Sequence, residues 1–352
     1  MYLPSTRWSW NFMGLAVFQA VVSLALEGYV FGRFQSSLEL SRLNAGQETP
    51  SQALTIPTYL ALFIFGFVYE VILVWDALRL KNTIQVIGIC IYNLGLLIYA
   101  AVEMDQVGDA VRVLEYKNLI EQGTWMALRP YLVAAPCLIG LITAIMGGIA
   151  YKLYDEFAWT IYKHISADLR LKRRYLTYQI YIALLKFDFF FFLGFTVQFL
   201  VVVPNTTRYE FWITVAALPI TVALLFLAAF FVRQESKPGQ ILTIFVYFAG
   251  MAYFVFKLVR MYDAGLKRVQ EYEPARKSLT IFAVLTLIAL VLTMVTACVC
   301  MRNFGMGLKP HIQRRAVPDA SEAKIRNSYG PDQFGQPSAH SLEAVSHRMT
   351  ID

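Results

Sequence analysis

Eight predominantly apolar stretches, each of about 19 to 28 residues and set apart by polar segments, run from Asn11 to Met301. Their bounds are Asn11–Phe31, Pro57–Trp75, Thr83–Val102, Tyr131–Tyr151, Leu176–Val203, Phe211–Val232, Gln240–Leu258 and Leu279–Met301. At about 1.5 Å per residue, each can cross a hydrocarbon core of about 30 Å. The runs are continuous rather than alternating, which predicts helices and not barrel strands, because in lipid every backbone N–H and C=O must be bonded within its own segment. The pattern therefore predicts an all-α, polytopic transmembrane helix bundle of eight spans over residues 1–303. From 304 to 352 the periodicity stops and Pro, Ser, Gly, Asn and Gln accumulate, which predicts a disordered cytosolic tail.

Composition agrees: 57% of residues are hydrophobic, 16% are charged and the mean hydropathy is +0.51. In a soluble protein a net charge of +7 would suggest nucleic acid. In a polytopic one, basic residues record topology and contact with anionic lipid headgroups, so the partners predicted are the bilayer and those headgroups, with no nucleic acid. An even number of spans puts both termini on one face. That face holds the larger share of Lys and Arg, chiefly through Arg170, Lys172, Arg173, Arg174 and the basic start of the tail from Arg302 to Arg315, and is predicted to be cytosolic. The sequon Asn205-Thr206-Thr207 falls on the opposite, lumenal face, in a loop so short that the acceptor would sit at the membrane surface and stay unmodified. The first segment also reads as a signal peptide, with Arg7 ahead and a small-residue site at Ser23-Leu24-Ala25. Cleavage there would leave a seven-span, receptor-like chain, whereas the continuation of the apolar run through Tyr29-Val30-Phe31 favours a retained anchor.

Between the fourth and fifth spans, Leu153, Phe157, Ile161, Ile165 and Leu169 recur every four residues, which predicts an amphipathic helix lying in the cytosolic interface. The 103–130 segment mixes acidic and aliphatic residues and reads as a loop that begins with a helical extension of the third span. All four cysteines lie in or beside apolar segments, so no disulfide framework is implied. Cys298 and Cys300, in the last turn of the last span, are either candidates for S-acylation or small apolar-behaving helix residues.

Ionisable groups inside lipid cost about 2.5–3.5 kcal/mol each on insertion scales, so each raises a functional question. Glu27, Glu70, Lys186 and Asp188 are the conspicuous ones. Glu27 is one turn from the lumenal end of its span and reads as interfacial. Lys186 and Asp188 lie about 200° apart on one helix and cannot pair with each other. By depth, Glu70 is the expected partner of Lys186, given a Lys stem that snorkels. Such a pair, with Asp188, is either an ion relay of a transporter or a pin that fixes helix register alongside Asn93, Gln179 and Gln198. Pro136 and Pro219 interrupt two spans, and Gly88, Gly95, Gly140 and Gly147 offer close helix contacts.

No phosphate-cradling loop, zinc-binding His pair or nucleophile elbow occurs. His164, His311, His340 and His347 are scattered outside the spans, not clustered to hold iron. No catalytic residue, metal or cofactor is predicted, and the chain does not read as an enzyme.

The stretch 151–200, with Phe256-Lys-Leu-Val-Arg-Met-Tyr262 and Ala275-Arg-Lys-Ser-Leu-Thr-Ile-Phe282, resembles the signature regions of an uncharacterised family of fungal Golgi apparatus membrane proteins. The resemblance covers nearly the whole membrane domain. It implies a multi-pass protein of the Golgi apparatus membrane or the neighbouring endoplasmic reticulum, and brings no activity. The function expected is a non-enzymatic membrane organising or trafficking factor. The alternatives are a secondary transporter using Glu70, Lys186 and Asp188, and a seven-span receptor.

Overall fold

A computed structural model describes residues 6–38, 51–164, 169–202, 208–262 and 276–307. They form eight helices, each long and apolar enough to cross a membrane: α1 (Arg7–Ser37), α2 (Ser51–Arg79), α3 (Thr83–Tyr116), α4 (Thr124–His164), α5 (Leu169–Val202), α6 (Arg208–Gln234), α7 (Lys237–Tyr262) and α8 (Arg276–Arg302). All eight predicted spans are present, each inside a longer helix. The predicted tail and the sequon at Asn205 lie outside the described residues.

Local chemistry sets the helix ends. Thr6 caps α1, its hydroxyl oxygen accepting from the Ser9 N–H at 3.3 Å. Asn82 caps α3, its Oδ1 accepting from the N–H groups of Ile84 and Gln85. The tight α2–α3 turn places Lys81 at φ 46°, in the left-handed region.

The third span continues as helix to Tyr116, as its expected extension implied. The segment after the fourth span does not form a separate interfacial helix. Residues 153–164 continue α4, a helix of 41 residues, and Leu153 and Phe157 are buried against the protein instead of facing lipid headgroups. The stripe is an extension of the core-facing side of α4, which is why it kept the same period; Ile161, Ile165 and Leu169 lie outside the described side chains. Pro136 and Pro219 sit within α4 and α6 without ending either.

The helices pack as two four-membered rings. In the first, α1 packs on α2 and α4, and α3 on α2 and α4; in the second, α5 packs on α6 and α8, and α7 on α6 and α8. The rings meet where α2 and α3 lie against α5, and α3 also touches α8. Half of the α5 span is buried inside the protein but only 11% of the α6 span, so α5 is the axle and α6 a lipid-facing rim. The face on which α1 begins is termed proximal here and the other distal. Trp8, Trp10, Tyr151 and Tyr154 are exposed at the proximal ends, and Tyr116, Trp212 and Tyr262 at the distal ends, where amphipathic rings suit the interface.

The aromatic run of α5 fills the seam. Phe190 stacks on Phe65 and Tyr69 of α2 and meets Tyr92 of α3 edge-on at 4.7 Å. Glycines make the room: a Cβ at Gly88 would lie 2.6 Å from the Phe187 ring, and one at Gly194 would lie 2.5 Å from Phe282. These contacts are glycine against ring; Gly147 faces open space. Lipid supplies no hydrophobic drive between helices, so this close packing carries the association.

Gly194→Ala should therefore lower the thermal stability of the purified protein by about 1–3 kcal/mol, because Phe282 is itself held by Tyr99 and Phe190. Gly147→Ala should leave it unchanged or slightly raised. Melting curves in one detergent, compared between the two variants, check this.

Candidate functional site

The polar groups of the membrane interior fall into separate clusters. In the first ring, Asn93 Nδ2 donates to Glu70 Oε1 at 2.7 Å. Gln19 Nε2 donates to Asn93 Oδ1 at 2.7 Å and reaches Glu70 Oε2 at 3.5 Å. All three residues are fully buried. They come from α2, α3 and α1, and the thioether of Met146 closes the α4 side, 3.7 Å from Asn93 Nδ2. The cluster holds an acidic group with amide donors only.

Lys186 is elsewhere. Its ammonium donates to Asp76 Oδ2 and, at 2.8 Å, to Gln85 Oε1, while Gln85 Nε2 donates to Asp76 Oδ2 at 3.1 Å and to the Leu73 carbonyl at 2.9 Å. Tyr69 Oη donates to the Lys186 carbonyl at 2.7 Å. The expected Glu70–Lys186 pair is thus not formed. The stem snorkels toward the proximal surface and takes an acid six residues further along α2. That acid points about 120° away from Glu70 around the helix, so α2 turns Glu70 into the first ring and Asp76 toward α5. Tyr69 and Asp76, seven residues apart, share the α5 face and grip one residue at its backbone and its side-chain end.

Asp188 belongs to the second ring. It is 2% exposed, and Thr293 of α8 donates to its Oδ2 at 2.6 Å; Oδ1 is buried without a partner. Nearby, Tyr181 and Tyr247 join α5 to α7 through hydroxyls 2.9 Å apart, and Gln240 donates to Tyr181 Oη at 3.3 Å. Glu70, Lys186 and Asp188 therefore occupy three clusters: one inside each ring and one on the seam.

Toward the distal face, Glu27 and Glu103 are 4% and 3% exposed and within electrostatic reach of each other. Glu27 is not interfacial as expected, because it falls on the same buried side of α1 as Phe12, Ala16 and Ser23. Glu103 was missed because the third span was ended at Val102. Below them Tyr59 Oη donates to Gln106 Oε1 at 2.7 Å and lies 3.3 Å from Ser278 Oγ. On the distal surface Lys277 pairs with Asp105 and, at 3.7 Å, with Asp109, in exposed bridges that add little stability.

At the proximal end Lys172 and Arg173 are exposed, while Arg174 donates to the Met306 carbonyl at 2.9 Å and so ties α5 to the end of α8. Arg170 is exposed as well. Cys300 is buried and Cys298 half-buried; all four cysteines are free thiols. Among the described residues no group of three or more His, Cys, Asp or Glu could hold a metal ion.

Substitution should separate hydrogen bond from charge at Glu70. Glu70→Gln keeps an acceptor for Asn93, and the unpartnered Gln19 Oε1 can turn to accept the new amide, so stability should change by less than about 0.5 kcal/mol. Asn93→Leu strips the carboxylate of its 2.7 Å donor and should cost about 1–2 kcal/mol. Thermal melts of the two purified variants give the comparison.

No protein-family model matches the chain, and no solved structure matches it. It is 32% identical over 330 residues to the UPF0658 Golgi apparatus membrane protein of Schizosaccharomyces pombe, a match that covers 88% of this chain and 90% of that protein. On a match of that extent, the chain belongs to the UPF0658 family of Golgi apparatus membrane proteins.

Proposed function

We propose that the protein is a non-enzymatic component of Golgi membranes, or of the neighbouring endoplasmic reticulum, that organises membrane or assists trafficking, with both termini in the cytosol. The observation that carries this reading is the division of charge. Lys186 is bonded to protein partners that fix one helix against two others, whereas basic groups, although present distally at Arg33, Arg112, Lys117, Arg129, Arg260 and Arg276, are more numerous on the proximal face, at Arg79, Lys81, Lys152, Arg170, Lys172, Arg173, Arg174, Arg233, Lys237 and Arg302. A basic rim of this kind matches the cytosolic side of a polytopic protein and the anionic lipid headgroups it meets. The S. pombe relative is named for the Golgi apparatus, which supports the location.

The transporter alternative in its expected form joins Glu70, Lys186 and Asp188 in one network, and the geometry favours it less because these residues bond to different partners in different places. The receptor alternative requires loss of the first span. Against it stands Gln19 of α1, bonded to Asn93 inside the first ring.

In cells lacking the gene, Lys172→Gln combined with Arg173→Gln should impair complementation at unchanged membrane abundance, while Asp188→Asn should complement in proportion to its abundance. The reverse pattern would move transport ahead of organisation. A C-terminal tag should be digested by protease added outside sealed Golgi vesicles; a protected tag would invert the topology.

A further inference from the structure

The buried side of α1 carries Gln19, Ser23 and Glu27 at steps of four residues, about 6 Å each along the helix. The two outer steps reach polar groups of the first ring, and Ser23 lies between them. Gln19 bonds to Asn93 and reaches Glu70, and Glu27 lies within electrostatic reach of Glu103. Beyond Glu103, one turn along α3, Gln106 meets Tyr59 of α2 and, through it, Ser278 of α8 near the distal surface. The polar groups thus form a line inside one ring.

Ser23 is the informative member. Thr143, Thr196, Thr243 and Thr286 each give their hydroxyl to the carbonyl one turn back, the usual way to satisfy a hydroxyl within a membrane helix. Ser23 Oγ, in a residue 1% exposed, makes no hydrogen bond, and neither does Gln19 Oε1 beside it. Two unpartnered polar atoms therefore sit between two acidic clusters, on the side of α1 that faces the ring interior. Among the described residues the groups beside the acids are uncharged: Gln19, Asn93, Cys90 and Tyr92 around Glu70, and Tyr59 and Tyr99 around Glu103. Lys186 is engaged on the seam, and Lys257, also buried, lies over the Phe199 ring in the second ring. Toward the proximal face the line stops at Phe12, Ala16, Leu73, Val74, Ala77, Val86 and Ile89, all buried and apolar.

We propose that the first ring is a blind-ended proton-binding line, loaded from the distal face, in which Glu103 with Glu27, Ser23, and Glu70 are successive stations. Acidic side chains in lipid need a positive species to match them, and a proton is the one that hydroxyl groups and water can hand along. The steps exceed one hydrogen bond, so the relay requires Ser23 to act with bridging water admitted between the helices. The inference is independent of the organising role proposed above.

The test uses full-length protein in membrane vesicles treated with dicyclohexylcarbodiimide, a lipid-soluble reagent that couples to protonated carboxyl groups, followed by peptide mass spectrometry. Glu27 or Glu103 should be labelled in acid and lose the label as the medium is made alkaline. Protection by sodium at fixed pH would overturn the assignment in favour of a metal cation. Infrared spectra of the same protein should contain protonated-carboxyl bands that disappear in Glu103→Gln and Glu70→Gln, the latter a variant expected to fold normally. The Glu70 band should exchange into deuterium several-fold more slowly in Ser23→Val. Absence of both the label and the bands would overturn the proposal, and an unchanged exchange rate in Ser23→Val would overturn the relay.

Discussion

Lipid cannot hydrogen-bond, and that constraint orders the whole membrane domain. Every polar side chain that enters the bilayer must find a partner on another helix or on its own backbone, or leave a cost of a few kcal/mol. In this chain the partners are found helix by helix. Glu70 takes amides from α3 and α1, Lys186 takes an acid from α2 and an amide from α3, and Asp188 takes a hydroxyl from α8. Each choice fixes a rotation and a depth. The clusters therefore act as registers that tell eight similar apolar helices how to face one another.

Shape does the remaining work. Without a hydrophobic drive between helices, association depends on close approach, and the seam between the rings obtains it by setting aromatic side chains of α5 into spaces left by glycines and small side chains. Lys186 stands at the proximal end of that aromatic run, so one segment of α5 supplies both the ring packing and the polar pin. Two four-helix rings that are each closed, and that share one aromatic seam, follow from this placement.

The spans were legible because apolar runs of sufficient length have no other stable form in lipid, and so was the continuation of α3 as helix. The partners were less legible. Depth along a helix can be read from sequence, and on depth alone Glu70 and Lys186 match. Azimuth decided otherwise, since Glu70 and Asp76 face different neighbours, and which neighbour lies on which side of α2 is a property of the assembled rings. Asp76 and Gln85 lie near span ends, where polar residues are ordinary, so the sequence alone does not single them out. The Gln19-Ser23-Glu27 spacing was visible as a four-residue repeat, yet gains meaning only once α1 is known to turn that side inward. The 153–164 stripe shows the converse, because an apolar stripe facing headgroups and one facing a protein core have the same period.

That the Lys186 cluster pins the second ring to the first is the claim on which the architecture rests. A double-mutant cycle on the thermal stability of the purified protein, with Lys186→Met and Asp76→Asn, measures it most directly. The bridge is about a quarter exposed at each end, so a coupling of about 1–2 kcal/mol is expected, with Lys186→Met and Glu70→Gln simply additive. Additivity between Lys186 and Asp76, or coupling of Lys186 to Glu70, would contradict it.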